Sequence, residues 1–220
     1  VDANLKITRL IREGADVKKG DEVMKVEGRA RSILTAERVA LNFMGHMSGV
    51  ATLTLKMVRA VGNHKAKIAA TRKTLPGLRA VQKYAVMIGG GIPHRYGLDD
   101  AVLIKDNHIA MSGGVRNAIR SAKAHIGHTV KIEVEVDTLE QLAEVLDEGV
   151  DIVMLDNMTG EQMKQAVAMV GGRAVVEASG GVTLARIPEI AATGVDLISS
   201  GAVTHSAPNF DVGLDYKAAA

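Results

Sequence analysis

Cysteine and tryptophan are both absent from the chain, and only three tyrosines and two phenylalanines are present. Without cysteine there is no disulfide, no thiolate metal ligand and no thiol nucleophile, a usage that suits a cytoplasmic protein. With aromatics at 2% of residues, stacking platforms for bases are lacking. An excess of either charge is lacking too: Lys+Arg number 27 against 25 Asp+Glu, for a formal charge of +2. With no basic tail, nucleic acid is not expected as the main partner. No apolar run is long enough to span a bilayer, so no membrane partner is expected, and the N-terminus does not read as a signal peptide. Val1 already reads as strand, which leads us to expect further sequence upstream of it.

What is present suffices for a large core. Of 220 residues, 47% are hydrophobic and 24% charged, ordinary values for a globular chain. That length supports one sizeable α/β domain with at most a small appendage. Ten methionines and many aliphatic residues must fill the interior, since aromatics cannot. The first 28 residues read as short strands broken by Gly14, Gly20 and Gly28, with Asp16–Asp21 as the turn of a hairpin. This piece resembles half of a biotinyl or lipoyl sandwich but displays no suitable lysine at a tight turn, so it reads as scaffold. From Thr35 to about Val61 the spacing of Leu41, Met44, Met47 and Ser48 predicts a helix. Thr35 is expected as its N-cap, with an acidic first turn at Glu37. Gly45 and Gly49 either allow close packing or split the segment into two helices.

After Gly62 the chain alternates. Apolar strands are expected at Lys67–Ala70, Ala101–Ile104, Val130–Val136, Ile152–Leu155, Ala174–Val176 and Val195–Ser199. Helices are expected at Leu75–Ile88, Val115–His125, Leu139–Glu148, Gly160–Val170 and Leu184–Ala192. Thr138-Leu139-Glu140-Gln141 and Thr159-Gly160-Glu161-Gln162 match the capping-box pattern, and Gly149 and Gly194 stand where helices end. Such repetition means a parallel sheet covered by helices. Polar or glycine residues follow nearly every strand, which favours a barrel with one shared mouth over an open sheet.

Five basic groups (Arg72, Lys73, His94, Arg95 and Lys105) cluster around the run Gly89-Gly90-Gly91. In a nearly neutral chain this suggests a pocket for a small, multiply anionic ligand. Thr71-Arg72-Lys73-Thr74 can clamp carboxylate or phosphate, although alone it would read as a solvated loop. The glycine run lets backbone approach a ligand, or serves as a linker. Lys105 is either a Schiff-base lysine, as in barrel aldolases, or a charged carboxylate anchor. Asn107 and His108 read as turn and core residues. Glu135 and Asp156 end adjacent strands; they can hold Mg²⁺, bond sugar hydroxyls, or pair with nearby cations. Asp137 reads as serving the start of the next helix. Ser179-Gly180-Gly181 and Ser200-Gly201-Ala202 match the phosphate-binding loops common late in barrels.

Taken in order, several stretches resemble the quinolinate phosphoribosyltransferases, the type II phosphoribosyltransferase family. They are Ala36–Asn42, Thr71–Arg79, Gly89 through Arg95, Leu103–His108, Glu133–Asp137, Met154–Asn157, Glu177–Gly181 and Gly201–Ser206. The resemblance implies an incomplete α/β barrel with a small N-terminal α/β sandwich domain. Residues 1–62 would form the sandwich and linking helices, 63–205 the barrel, and 206–220 a segment returning to the sandwich. It implies the quinolinate and phosphoribosyl diphosphate reaction of NAD synthesis, with Mg²⁺ as cofactor and a homodimer in which Arg38 reaches the partner's pocket. Arg72, Arg95 and Lys105, helped by Lys73 and His94, would clamp quinolinate. Glu135 and Asp156 would face ribose and Mg²⁺, and Ser179, Gly180 and Gly201 would cradle the 5′-phosphate. The catalytic set would be Lys73, Glu135 and Asp156. Two departures stand out: the upstream residues that complete the sandwich, and Pro93 where the family more often has Asn. The competing readings are a relative acting on nicotinate, a molybdenum-transport accessory protein, and the aldolase.

Overall fold

The computed structural model of the chain describes residues 1–216. Strands β1 (Lys6–Arg9) and β2 (Met24–Glu27) pair antiparallel, with Lys6 opposite Glu27 and Arg9 opposite Met24. The connection between them contains the expected turn, where Asp21 accepts the Lys18 N–H at 2.7 Å. Helix α1 (Ala30–Val61) then runs unbroken. It begins before Thr35, contrary to the sequence expectation. Thr35 lies inside the helix and its hydroxyl donates to the Arg31 carbonyl at 2.7 Å, while the N-cap is Arg29, with no acidic residue in the first turn.

Neither Gly45 nor Gly49 breaks α1. Both make room for the C-terminal segment that crosses it. A Cβ on Gly49 would lie 1.9 Å from the Pro208 carbonyl oxygen, and one on Gly45 would lie 2.8 Å from that of Phe210. Phe210 N–H donates to the Gly45 carbonyl at 2.9 Å. Of the C-terminal segment expected at 206–220, residues 217–220 lie outside the described residues.

The second sheet has six strands: β3 (Lys67–Ala69), β4 (Val102–Ile104), β5 (Ile132–Val136), β6 (Ile152–Asp156), β7 (Val175–Ser179) and β8 (Leu197–Ser199). All neighbours are parallel, in the order β3-β8-β7-β6-β5-β4. The edges β3 and β4 do not pair, so the barrel is incomplete, as expected. Beside β3 the chain makes one parallel bridge, Ala69 to Ile92, and residues 93–101 lead from there to β4. Helices α2 (Arg79–Ile88), α3 (Asp106–Met111), α4 (Val115–His125), α5 (Leu139–Glu148), α6 (Gly160–Val170), α7 (Ile187–Ala191) and α8 (Ala202–His205) complete the fold.

Three helical expectations shift. The helix expected from Leu75 starts at Arg79, because Pro76 and Gly77 (φ +74°) form a turn closed by Leu78 N–H to Leu75 O at 3.1 Å. The segment Leu184–Ala192 divides into a 3₁₀ turn at Leu184–Arg186 and α7, with Pro188, which lacks an N–H, in the first turn of α7. Asn107 and His108 belong to α3, and His108 is exposed rather than core; its Nδ1 accepts the Lys105 N–H at 2.9 Å. The Thr159–Gln162 capping box is complete, while Thr138 accepts from Gln141 N–H and Gln141 reaches past it to Asp137 N–H.

Register fixes what faces inward. Glu135, Met154, Glu177, Leu197 and Lys67 are successive partners across the sheet, and so are Leu103, Glu133, Ile152 and Val175. Partners in a parallel ladder share a face. The alternate residues Val134, Val136, Val153, Leu155 and Ile198, all fully buried, pack outward under the helices, and each contributes about 1.5–3 kcal/mol by leaving water. The outward face is therefore oily, and the inward face carries Glu133, Glu135 and Glu177 among apolar neighbours.

Gly49→Ala should lower stability by about 1–3 kcal/mol, because its methyl group meets the Pro208 backbone. Gly127→Ala, which meets nothing within 4 Å, should change it by less than about 0.5 kcal/mol. Urea denaturation of the two variants checks this; equal midpoints would mean the C-terminal segment does not sit in that seat.

Candidate active site

The barrel mouth is assembled from strand ends. Arg72 and Lys73 follow β3, His94 and Arg95 follow the bridge at Ile92, Lys105 follows β4, and Glu135, Asp156 and Ser179 end β5, β6 and β7. Lys105 Nζ and Glu135 Oε2 are 2.7 Å apart. Asp156 is the register partner of Ser179, and one of its oxygens accepts from Asn157 Nδ2 at 2.6 Å. Asn157 has φ +55°, and its side chain would strike a Cβ on Gly180 at 2.2 Å. Glycine is therefore required there by close approach. With Gly180 at φ +79° and Gly181 at φ +56°, consecutive backbone amides form a concavity suited to an anion.

Lys73 and Gly201 adjoin: a Cβ on Gly201 would sit 3.0 Å from Lys73 Cδ and 2.9 Å from His205 Nε2. Thr204 Oγ1 donates to the Lys73 carbonyl at 2.8 Å and ties that loop to α8. Arg95 Nη1 donates to the Ala101 carbonyl at 2.9 Å. Burial holds the Arg95 pKa below its usual value, and the nearby Arg72 charge adds to the effect. Two guanidiniums share one desolvated corner, an arrangement that favours an anion.

Beneath them sits a buried cluster. His94, with φ +54°, places Nε2 3.4 Å from Glu133 Oε2 and 3.5 Å from Glu177 Oε2, and the two glutamates are 4% and 0% exposed. Burial opposes a charge on the ring, but Glu133 and Glu177 outweigh it and lift the His94 pKa to about 9. The Arg95 N–H donating to Nδ1 at 2.8 Å opposes a second ring proton. The ring proton nearest the carboxylates is the one on Nε2. Desolvation raises the Glu133 pKa, against the pull of the His94 hydrogen bond. The three polar atoms lie within 4.8 Å of one another.

Among the described residues, the buried side-chain atoms without a hydrogen-bond partner are Arg72 Nε, Glu133 Oε1, both Glu177 oxygens and Ser199 Oγ. All belong to barrel strands or the residues just past them. Buried polar groups of this kind are ones a polar ligand can satisfy. A groove at the other end of the barrel is lined by Lys65, Asp151, Arg173 and Asp196. Its carboxylates are already engaged, Asp151 with Ile132 N–H and Asp196 with Val176 N–H and Lys65. That end serves stability.

The structure thus brings together Lys105 with Glu135, Lys73 with Gly201, Asp156 with Ser179 and Gly180, and Arg72 with Arg95. It does not bring Arg38 to them: Arg38 is exposed on α1, on the stretch preceding the buried Gly45–Val61 part, and its side chain makes no hydrogen bond or ion pair with another described residue. Sequence reasoning missed the roles of Glu133 and Glu177. A signal existed, since Glu133 shares strand parity with Glu135, and Glu177 interrupts the apolar run Val175–Ala178. Lys83 was missed as well, because a lysine in a helical pattern reads as solvent-facing.

A parallel α/β barrel with cations gathered over buried carboxylates at its mouth defines an enzyme site for a small polyanion. The family models "Quinolinate phosphoribosyl transferase, C-terminal domain" and "Quinolinate phosphoribosyl transferase, N-terminal domain" match residues 50–215 and 2–48. The chain belongs to the quinolinate phosphoribosyl transferase family. It is similar to a nicotinate-nucleotide pyrophosphorylase [carboxylating] of Mycobacterium leprae, 48% identical over 93% of this chain and 73% of that protein. It is similar also to a probable enzyme of the same name from Bacillus subtilis, 41% identical over 98% of this chain and 74% of that one. The crystal structure of NadC from Streptococcus pyogenes superimposes with a TM-score of 0.92, at 43% identity, covering 96% of this chain and 74% of that one.

His94→Ala should remove the cation that faces two buried carboxylates and cost about 3–5 kcal/mol near pH 6. His94 carries the pH dependence: its folded pKa, about 9, lies above the unfolded value, so the folded state binds the extra proton. Stability is intact below the unfolded pKa and is lost as pH rises through the folded one. The cost should therefore shrink as pH rises from 6 toward 10, measured by denaturation at both pH values. A loss that does not vary with pH would contradict it.

Proposed function

We propose that the chain is a decarboxylating quinolinate phosphoribosyltransferase. It converts quinolinate and 5-phosphoribosyl 1-diphosphate to nicotinate mononucleotide, diphosphate and CO₂, a step of NAD biosynthesis. The observation that carries this is the division of charge at the mouth. Paired guanidiniums and a lysine stand on the β3–β4 side, and carboxylates with a glycine cradle stand on the β5–β8 side. That division suits a dicarboxylate on one side and a sugar phosphate on the other.

Arg72, Arg95 and Lys105 bind the two carboxylates of quinolinate, with Arg forming bidentate contacts, and His94 supports them from below. Ser179, Gly180 and Gly201 hold the 5′-phosphate, and Lys73, lying over Gly201, neutralises phosphate charge. Glu135 and Asp156 face the ribose. Each retains one oxygen free of the contacts made by Lys105 and Asn157, which suits a hard cation with phosphate oxygens in its shell. When bound there, Mg²⁺ would supply charge neutralisation to the diphosphate.

The quinolinate nitrogen forms a bond to ribose C1 as the C1–O bond to diphosphate breaks, and the carboxylates stabilise the cationic character at C1. The ring nitrogen is then positive. The bond from the adjacent ring carbon to its carboxylate breaks, the electron pair stays on carbon beside the positive nitrogen, CO₂ departs and the carbon takes a proton. The clamp must hold the retained carboxylate more firmly than the departing one.

A homodimer is part of the proposal. Leu34, Val39 and Phe43 are 65%, 61% and 42% exposed on the same stretch of α1 as Arg38, an apolar face suited to a second copy that Arg38 would accompany. A cytoplasmic setting is also proposed, on the lack of cysteine. No helix among the described residues is long and apolar enough to cross a membrane.

The test is release of nicotinate mononucleotide and CO₂ from quinolinate, with and without Mg²⁺, using nicotinate as the alternative substrate. Arg95→Ala and Lys105→Ala should each raise the quinolinate KM and lower kcat, by about tenfold or more in kcat/KM. Glu135→Ala and Asp156→Ala should damage use of phosphoribosyl diphosphate more than quinolinate binding. Turnover of nicotinate without CO₂ release would overturn the reading.

A further inference from the structure

Lys83 on α2 is fully buried and has no carboxylate partner among the described residues. Its ammonium donates instead to backbone. Nζ reaches the carbonyl oxygens of three successive residues: Pro93, His94 at 3.4 Å and Arg95 at 2.8 Å. The Tyr96 ring centroid lies 5.1 Å away. An ammonium has three donors, and these three carbonyls account for them. Burying such a group is costly unless it is fully hydrogen-bonded, so the contact implies a specific role.

The loop it holds is the one that presents His94 and Arg95. Three carbonyls of successive residues turned toward one point repel one another, and His94 is held at φ +54°, a strained conformation for a non-glycine residue that persists only when its surroundings fix it. With the carbonyls gathered on Lys83, the His94 ring points toward Glu133 and Glu177 while Arg95 reaches Ala101 O beside Arg72. We propose that Lys83 is the positioning residue of the quinolinate clamp: its buried ammonium binds the Pro93, His94 and Arg95 carbonyls and so sets the direction of the His94 and Arg95 side chains. The proposal rests on the functional reading above. Lys83 itself touches no substrate.

The charged groups facing the amine are Arg79 on its own helix, Asp100 and Arg95 from the 93–101 segment, and Arg72 beyond β3. Burial, reinforced by Arg79, Arg72 and Arg95 and opposed by Asp100, lowers the Lys83 pKa to about 8. The sign is that of a depressed cation: the ammonium is complete below that pH and is lost above it. Deprotonation removes one of three donors and frees a carbonyl, so the loop loosens and Arg95 loses its aim.

The experiment is steady-state kinetics of the wild type, Lys83→Met and Lys83→Arg from pH 6.5 to 9.5, varying each substrate separately. In the wild type the quinolinate KM should rise above about pH 8, while the phosphoribosyl diphosphate KM changes little. Lys83→Met should raise the quinolinate KM about tenfold or more at pH 7 and lower kcat less. Lys83→Arg should recover most of that loss and abolish the break near pH 8, since guanidinium stays charged. Persistence of the break in Lys83→Arg would assign it to His94 and overturn the proposal. So would an unchanged quinolinate KM in Lys83→Met, or losses shared equally by both substrates. If Lys83→Met does not fold, the wild-type profile and Lys83→Arg decide alone. A wild type that neither binds nor turns over quinolinate at pH 7 defeats the functional reading, and the proposal falls with it.

Discussion

The structure depends on keeping charge inside a barrel whose walls are otherwise apolar. Glu133 and Glu177 are taken out of water by strands whose outward residues form the main hydrophobic core. That arrangement holds only because His94 descends from the 93–101 segment to meet them. A buried carboxylate without a cation or donor is among the costliest groups a fold can carry. Folding and site assembly are therefore one event. The strands cannot close around the glutamates unless the loop carrying the clamp is also in place.

The same constraint accounts for the gap between β3 and β4. A closed barrel would place a strand where residues 93–101 now run, and a strand has no means of sending consecutive residues to opposite ends of one cavity with carbonyls gathered beneath. The bridge at Ile92 starts such a strand and Pro93, lacking an N–H, cannot extend its ladder. Backbone regularity is given up over one segment, and the interior gains His94, Arg95 and the carbonyls that Lys83 collects.

Much of the fold was legible in the sequence, for a physical reason. The parallel strands alternate with amphipathic helices whose caps, such as Thr159 with Gln162, are local. The barrel and most helix cores follow from that periodicity, and the barrel's incompleteness from the family resemblance, while the exceptions arise from interactions periodicity does not contain. Helix α1 starts early and ignores Gly45 and Gly49 because their function is to admit another part of the chain. Pro188 splits the last long helix, and α3 is held by His108 capping Lys105, which apolar spacing cannot report. At the site, Arg72, Arg95, Lys105, Glu135 and Asp156 were visible because polar groups after apolar strands stand out. Glu133 and Glu177 were not, since they lie within the strands and acquire meaning only once His94 is known to enter the barrel. Lys83 was hidden by its chemistry: a long cationic side chain is expected to seek water, and only the folded loop shows three carbonyls waiting for it.

The crossing at Gly45 and Gly49 has a bearing on how the chain is made. The seat belongs to an early helix and its occupant, Pro208–Phe210, lies far downstream, so most of residues 50–207 must be translated before that helix is clasped. Until then a strip of exposed backbone and small side chains stays open on the nascent chain, available to a chaperone or to a neighbouring copy. Pro208–Phe210 act as a latch on work completed much earlier.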